Sequence, residues 1–498
     1  MRQLTSVDAQ FLALENPRQY GHVGSLMLLD PATAPGGELT LDAFQELIEA
    51  RLPIVPPLRW RLVDVPFNLD HGYWIDDPDF DLDFHVRELA LPAPGSDAML
   101  AEQVARIVAR PLDRTRPLWE IYLLYGVHGG KVAVLTKIHH ALIDGMSGAE
   151  ILGALLDLSP EIREIDGPVK APRSSMPGTV ELLGRSLLAL AKYPLRVASA
   201  LPSTLPHLEE VRSLGAVPGV RALGRAAAFI GRGLGATETT RGFGGLSAPH
   251  TPFSTPLSAH RRFGFGSLPL EEVKQVKKGY GVTVNDVVVS LCAGAVRRWL
   301  VAHNSLPDRP LVAQIPISVR TREQQGTYGN QIMLMTVPLL TDESDPVARL
   351  QATHAALAEM KETQSAMPAQ LMADAYRFIP PALFSRAARL SFALSSGWGG
   401  RPLWNLVVSN VPGPQFPLYL AGAKVLATYP VSVITDGMGL NITVMSYCGS
   451  LDFGIVADRD QVPDVEKMIE FLREELAVLR TAVTAARQPN PEANGSPG

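Results

Sequence analysis

Residues 117–148 read PLWEIYLLYGVHGGKVAVLTKIHHALIDGMSG, and the rest of the chain is organised around them. Two β-rich apolar runs, Leu118 to Tyr125 and Lys131 to Ile138, flank a His128-Gly129-Gly130 turn, so the spacing predicts an antiparallel hairpin. The second run stops at His139-His140, and AEILGALLDL (Ala149 to Leu158) then predicts a short helix closed by Ser159-Pro160. A histidine pair therefore stands in a strand-to-helix loop, a position where catalytic groups are often mounted.

Working outward, HVGSLMLLD (residues 22–30) predicts a strand, and helices are expected over Leu39 to Leu52 and Ala98 to Val108. These elements form a first domain over 1–160. Residues 161–257 are rich in Pro, Gly, Ser and Ala, with helical patches, and read as a connector. In 258–487 the alternation resumes. LPLEEVKQVKKGY predicts a helix, VTVNDVVVSLCAGAVRRWLVAH a long buried helix starting near Asn285, and five later apolar segments a set of strands. An amphipathic helix over Val465 to Ala486 closes the domain, and QPNPEANGSPG (488–498) has the composition of a disordered tail. Strict βαβ alternation is absent, so the expected fold is an α/β (α+β) two-domain sandwich of mixed sheets flanked by helices.

Composition narrows the function classes. The 498 residues carry 45 Lys+Arg against 50 Asp+Glu, a formal net charge of −5, which provides no general footprint for nucleic acid. Cys292 and Cys448 are the two cysteines, far apart in sequence, which argues against a disulfide framework and for a reducing compartment. The N-terminus lacks a signal-type apolar region. The nearest approach to a spanning segment, Leu182 to Leu201, is broken by Arg185, Lys192, Pro194 and Arg196.

The His139-His140-Ala141-Leu142-Ile143-Asp144-Gly145 string suits acid–base chemistry, because imidazole accepts and returns a proton near neutral pH. Its structural alternative is a strand end with satisfied rings. Adjacent residues on an extended segment face opposite ways, so the two histidines do not readily share a metal ion, and none is expected. Gly145-Met146-Ser147-Gly148-Ala149 approximates a nucleophile elbow, but Ala149 stands where glycine belongs, and His303 and His354 lack the context of a triad partner. No phosphate-binding glycine loop is present.

HHALIDGMSG resembles the HHxxxDG motif of bacterial wax ester synthase/acyl-CoA:diacylglycerol acyltransferases, within the chloramphenicol-acetyltransferase-like superfamily that also holds condensation domains. LTSVDAQFLALE, PLWE at 117–120, Asn285-Asp286 and SNVPGP at 409–414 match further segments of that family in order. The resemblance implies two chloramphenicol-acetyltransferase-like domains with the active channel at their interface. It implies His140 as general base, His139 as a support, Asp144 paired with an arginine (Arg262 is the candidate), and Gly145 at a tight turn. Asn285 is either a helix N-cap or part of the channel. Ser409 and Asn410 either stabilise an oxyanion or cap a turn.

The implied reaction moves a long-chain acyl group from acyl-CoA, the co-substrate, to diacylglycerol or a long-chain alcohol, without a further cofactor. The rivals are another alcohol or amine acceptor, as in condensation-type enzymes, or a catalytically silent lipid-binding protein. Between Met176 and Gly245 eight basic residues face four acidic ones, a local charge of +4. That segment is expected either to bind an anionic membrane or lipid-droplet surface, or to be a solvated linker. The matching location is cytoplasmic, with peripheral attachment to the inner membrane or lipid droplets.

Overall fold

The computed structural model describes residues 1–143, 148–165, 178, 180–185, 188, 248–318, 332–365 and 402–487. The first half comprises β1 (Arg2–Gln3), α1 (Ser6–Leu14), β2 (His22–Asp30), α2 (Leu41–Arg51), β3 (Trp60–Val63), β4 (Tyr73–Asp76), α3 (Leu82–His85), β5 (Val86–Ala90) and α4 (Asp97–Val108). It continues with β6 (Trp119–Val127), β7 (Lys131–His139), α5 (His140–Ile143) and α6 (Gly148–Leu155). The second half holds β8 (Arg261–Pro269), α7 (Leu270–Tyr280), α8 (Val284–Ala302), β9 (Leu311–Ser318), β10 (Ile332–Leu339) and α9 (Pro346–Ser365). It ends with β11 (Leu406–Val411), β12 (Tyr419–Leu420), β13 (Ala423–Val431), β14 (Leu440–Tyr447), β15 (Ser450–Asp458) and α10 (Lys467–Arg487).

The predicted hairpin forms as β6 and β7, with Leu123 opposite Val134 and Trp119 opposite Ile138. Both strands carry apolar residues on both faces, because both faces are covered. Trp119, Ile121 and Leu123 pack with Phe44 and Ile48 of α2, while Tyr122 and Leu124 pack with Leu100 and Val104 of α4. That second cluster also takes in Phe263 of β8 and Val456 of β15. The core under the hairpin is therefore continuous with the seam between the two halves.

Two six-stranded mixed sheets result, in the orders β12-β13-β2-β7-β6-β5 and β10-β9-β11-β14-β15-β8, with a small sheet β1-β4-β3 beside them. The first sheet departs from a division of the chain at the connector. β13 pairs antiparallel with β2, Thr428 opposite Met27, so residues 419–431 belong to the sheet of the first half although they lie within 258–487. A buried carboxylate fastens this strand. Asp452 on β15 accepts the Thr428 amide at 2.9 Å and the Ser267 hydroxyl at 2.7 Å. Burial pushes that carboxyl above its ordinary pKa.

β8 carries weak strand signals, RRFGFGSLP, and was not expected as a strand. Its Gly266 explains part of the pattern: a Cβ there would stand 2.5 Å from Ile469 of α10, so glycine lets the helix lie against the sheet. The 161–257 connector falls largely outside the described residues, and the 488–498 tail wholly so.

Trp119 is fully buried, and its Nε1–H donates to the Leu58 carbonyl at 2.6 Å. Trp119→Ala is expected to lower stability by about 3–5 kcal/mol, read as a lower urea midpoint. A loss under about 1 kcal/mol would contradict this packing.

Candidate active site

β7 delivers both histidines to one end of the first sheet. His139 is the last strand residue, opposite His22 of β2, and its ring is buried. Its Nδ1 faces the Ala141 amide at 3.1 Å and must accept there, because a backbone N–H only donates. The neutral ring then carries its proton on Nε2, which donates to Glu15 Oε1 at 3.1 Å.

Glu15 follows α1, and its carboxylate gathers several donors. Oε1 also accepts the Gly21 amide at 2.8 Å, and Oε2 accepts Arg114 at 2.7 Å. Burial alone would raise this carboxyl, but the hydrogen bonds it accepts from His139, the Gly21 amide and Arg114 outweigh it and hold the pKa at about 2. A Cβ on Gly21 would come within 2.8 Å of His139 Nε2, so only glycine permits this approach.

His140 opens α5 and is half-buried. Its amide donates to the Gly21 carbonyl at 2.8 Å, and its ring stacks on Phe11 with centroids 4.0 Å apart. The two rings thus have different neighbours. His139 is locked between Glu15 and the Ala141 amide, and His140 lies against Phe11 of α1. Asp144 and Gly145 lie outside the described residues, and so does any pairing of Asp144. Arg262 sits half-buried on β8 opposite Ala457, and its buried Nε–H has no hydrogen-bond partner among the described residues.

Of the two roles left open for Asn285, helix N-cap or channel residue, the N-cap is corrected. Thr283 is the N-cap of α8: its hydroxyl accepts the Asp286 amide at 3.1 Å, and the Asp286 carboxylate accepts the Thr283 amide at 2.8 Å. Asp286 also binds His354 Nδ1 at 2.6 Å. Asn285, one residue inside the helix, accepts from Asn410 Nδ2 at 3.3 Å, so the structure joins two distant predicted motifs. Ser409, beside Asn410 on β11, is half-buried opposite Thr443 of β14.

Glu15, Phe11 and Gly21 were not singled out from the sequence. Glu15 and Phe11 occur in the LTSVDAQFLALE opening that carries the family resemblance, but nothing local connects them to histidines more than a hundred residues away.

Two mixed sheets flanked by helices, with a histidine pair at the end of β7 near the meeting of the two halves, make up the architecture of the site. The comparisons specify it further. A family model for the wax ester synthase/diacylglycerol acyltransferase catalytic domain matches residues 4–288, and one for the WS/DGAT C-terminal domain matches residues 328–480. The chain belongs to the wax ester synthase/diacylglycerol acyltransferase family.

A Mycobacterium tuberculosis protein carrying the name of a candidate diacylglycerol O-acyltransferase is 38% identical over 468 residues, 93% of this chain and 87% of its own. Another relative from that organism, also named for this activity, is 36% identical and covers 96% and 98%. The solved wax ester synthase/diacylglycerol acyltransferase from Marinobacter aquaeolei VT8 superposes with a TM-score of 0.66 at 27% identity, over 97% of this chain and all of that one. A trichothecene 15-O-acetyltransferase from Fusarium sporotrichioides shares the fold, with a TM-score of 0.57 at 15% identity over 96% of this chain and 94% of its own.

His22 backs the site, and its Nε2–H donates to the Val108 carbonyl at 2.8 Å. Burial, reinforced by the nearby Lys137 charge, lowers its pKa to about 3. The unfolded chain takes up this proton below about pH 6.5 while the folded chain refuses it, so stability falls as the pH drops from about 6.5 towards 3. His22→Gln keeps an N–H for Val108 and should flatten the fall in thermal midpoint between about pH 7 and about pH 5. Equal slopes in the two proteins would count against a neutral buried His22.

Proposed function

We propose that this chain transfers a long-chain acyl group from acyl-CoA to the hydroxyl of diacylglycerol, with long-chain alcohols as a second acceptor class, and that His140 is the general base. The family assignment supports the reaction. The observation that supports the role of His140 is its placement: His139 is committed to Glu15 and Ala141, whereas the half-buried His140 ring stacks on Phe11 at the start of α5.

In this mechanism the His140 imidazole takes the acceptor hydroxyl proton as that oxygen attacks the thioester carbonyl. A tetrahedral oxyanion forms, the carbon–sulfur bond breaks, and the imidazolium returns the proton to the CoA thiolate. No acyl-enzyme is formed. Asp144, held by an arginine for which Arg262 is the candidate, would shape the loop, and Gly145 would permit its turn. The Asn285–Asn410 pair and Ser409 are the polar groups we assign to the channel, where an amide or hydroxyl donor would meet the oxyanion.

Diacylglycerol resides in lipid, and we assign the basic 176–245 segment to peripheral contact with an anionic membrane or droplet surface. Among the described residues no single helix is long and apolar enough to cross a membrane. The pair α7 and α8 meets those criteria only together and is bent by 103°.

Purified protein given radiolabelled palmitoyl-CoA and diacylglycerol should release CoA and form triacylglycerol, and His140→Ala should lower kcat by at least about 100-fold. Full activity in His140→Ala, or inhibition by a serine-directed phosphonate, would reject this mechanism. Reversing the basic charges of 176–245 should weaken sedimentation with anionic liposomes; unchanged sedimentation would reject the surface assignment.

A further inference from the structure

The loop of residues 15–21, ENPRQYG, touches both halves of the molecule. On one side it holds the histidines, through Glu15 to His139 and through the Gly21 carbonyl to the His140 amide. On the other side it is held by elements of the second half. Arg261, at the start of β8, donates through Nη2 to the Arg18 carbonyl. The same guanidinium donates through Nη1 to the carbonyls of Ser258 at 2.9 Å and His260 at 3.1 Å, and stands 3.8 Å from the fully buried Asp458 carboxylate.

Gln19 makes a second tie. Its side chain is buried, with Oε1 accepting the Asp436 amide at 2.9 Å and Nε2 donating to the Leu14 carbonyl at 3.0 Å. Asp436 in turn accepts the Leu257 amide at 2.8 Å. Asn16 and Gln19 close the loop on itself by paired backbone hydrogen bonds at 3.0 and 3.1 Å. A short, internally braced loop with buried polar ties on both sides transmits displacement instead of absorbing it.

We infer that Arg261 and Gln19 are positioning residues for the acyl transfer: by fixing residues 15–21 to the second half, they set the Glu15–His139 anchor and with it the placement of His140. This inference rests on the reading of His140 as the base. Misplacing a reacting group by about 1 Å costs up to about 100-fold in rate, so the effect falls on kcat. The purely structural alternative is that Arg261 neutralises Asp458 and Gln19 satisfies a loop, with stability as the only consequence.

A double-mutant cycle on the full chain separates the two. Arg261→Met should lower kcat by about tenfold while KM for palmitoyl-CoA stays within about twofold, and Arg261→Lys should recover part of the loss. Combined with Glu15→Gln, Arg261→Met should cost no more than Glu15→Gln alone, because both act through one anchor. Gln19→Leu provides the same cycle if Arg261→Met fails to fold.

An unchanged kcat accompanied by a lower thermal midpoint, or losses that multiply in the double variants, would overturn the coupling. A fully active His140→Ala, measured alongside, would instead sink the base reading whatever the cycle gives.

Discussion

Glu15 is the group on which the candidate site depends. Its carboxylate is shared among His139, the Gly21 amide and Arg114, and hydrogen bonds to a charged group contribute about 1.5–3 kcal/mol each. Because His139 and Gly21 are buried, replacing Glu15 with an apolar residue would leave the His139 Nε2–H and the Gly21 amide without their acceptor. The same hydrogen bond fixes the tautomer of His139, which lets its Nδ1 accept the Ala141 amide and turns the chain from β7 into α5. The orientation of His140 follows from that turn and from the Gly21 carbonyl.

The fold supports this anchor by leaving little freedom around it. β7 lies third from one edge of a six-stranded sheet, covered on both faces, and its end can shift only if the sheet or α4 shifts with it. The exchange of β13 into that sheet makes the two halves interdependent: the strand pairs with β2, while Asp452 of β15 holds its backbone from the other sheet. Acid conditions work against the arrangement at two separate groups. Between the ordinary carboxylate range and about pH 2 the stabilisation carried by ionised Glu15 is lost, and below the ordinary histidine range the neutral His22 becomes costly.

Much of this was legible in the sequence. β2 spans the same residues as the predicted 22–30 run, the hairpin and α4 lie within a residue or two of expectation, and α8 starts one residue before Asn285. These elements have a strong apolar pattern or a clear turn, and local chemistry decides them. The ordered motifs likewise led to the family. β8 escaped because its Gly266 answers to α10, a partner two hundred residues away, and β1, β3 and β4 are too short to show a period. The membership of β13 in the first sheet and the meeting of Glu15 with His139 are matters of tertiary placement that one sequence does not display. The N-cap alternative for Asn285 fails because Thr283 and Asp286 complete a capping box around it, a pattern visible in VTVNDVVV once the cap is moved back by two residues.

The most direct test of the Glu15 anchor is nitrogen-15 NMR of the His139 imidazole in the intact protein near neutral pH, assigned with a His139→Gln variant. The structure predicts a neutral ring protonated on Nε2, with a coupling or proton exchange protection that is lost in Glu15→Leu. A proton on Nδ1, in either the other neutral tautomer or the imidazolium, would contradict the hydrogen-bond arrangement from which the placement of His140 follows.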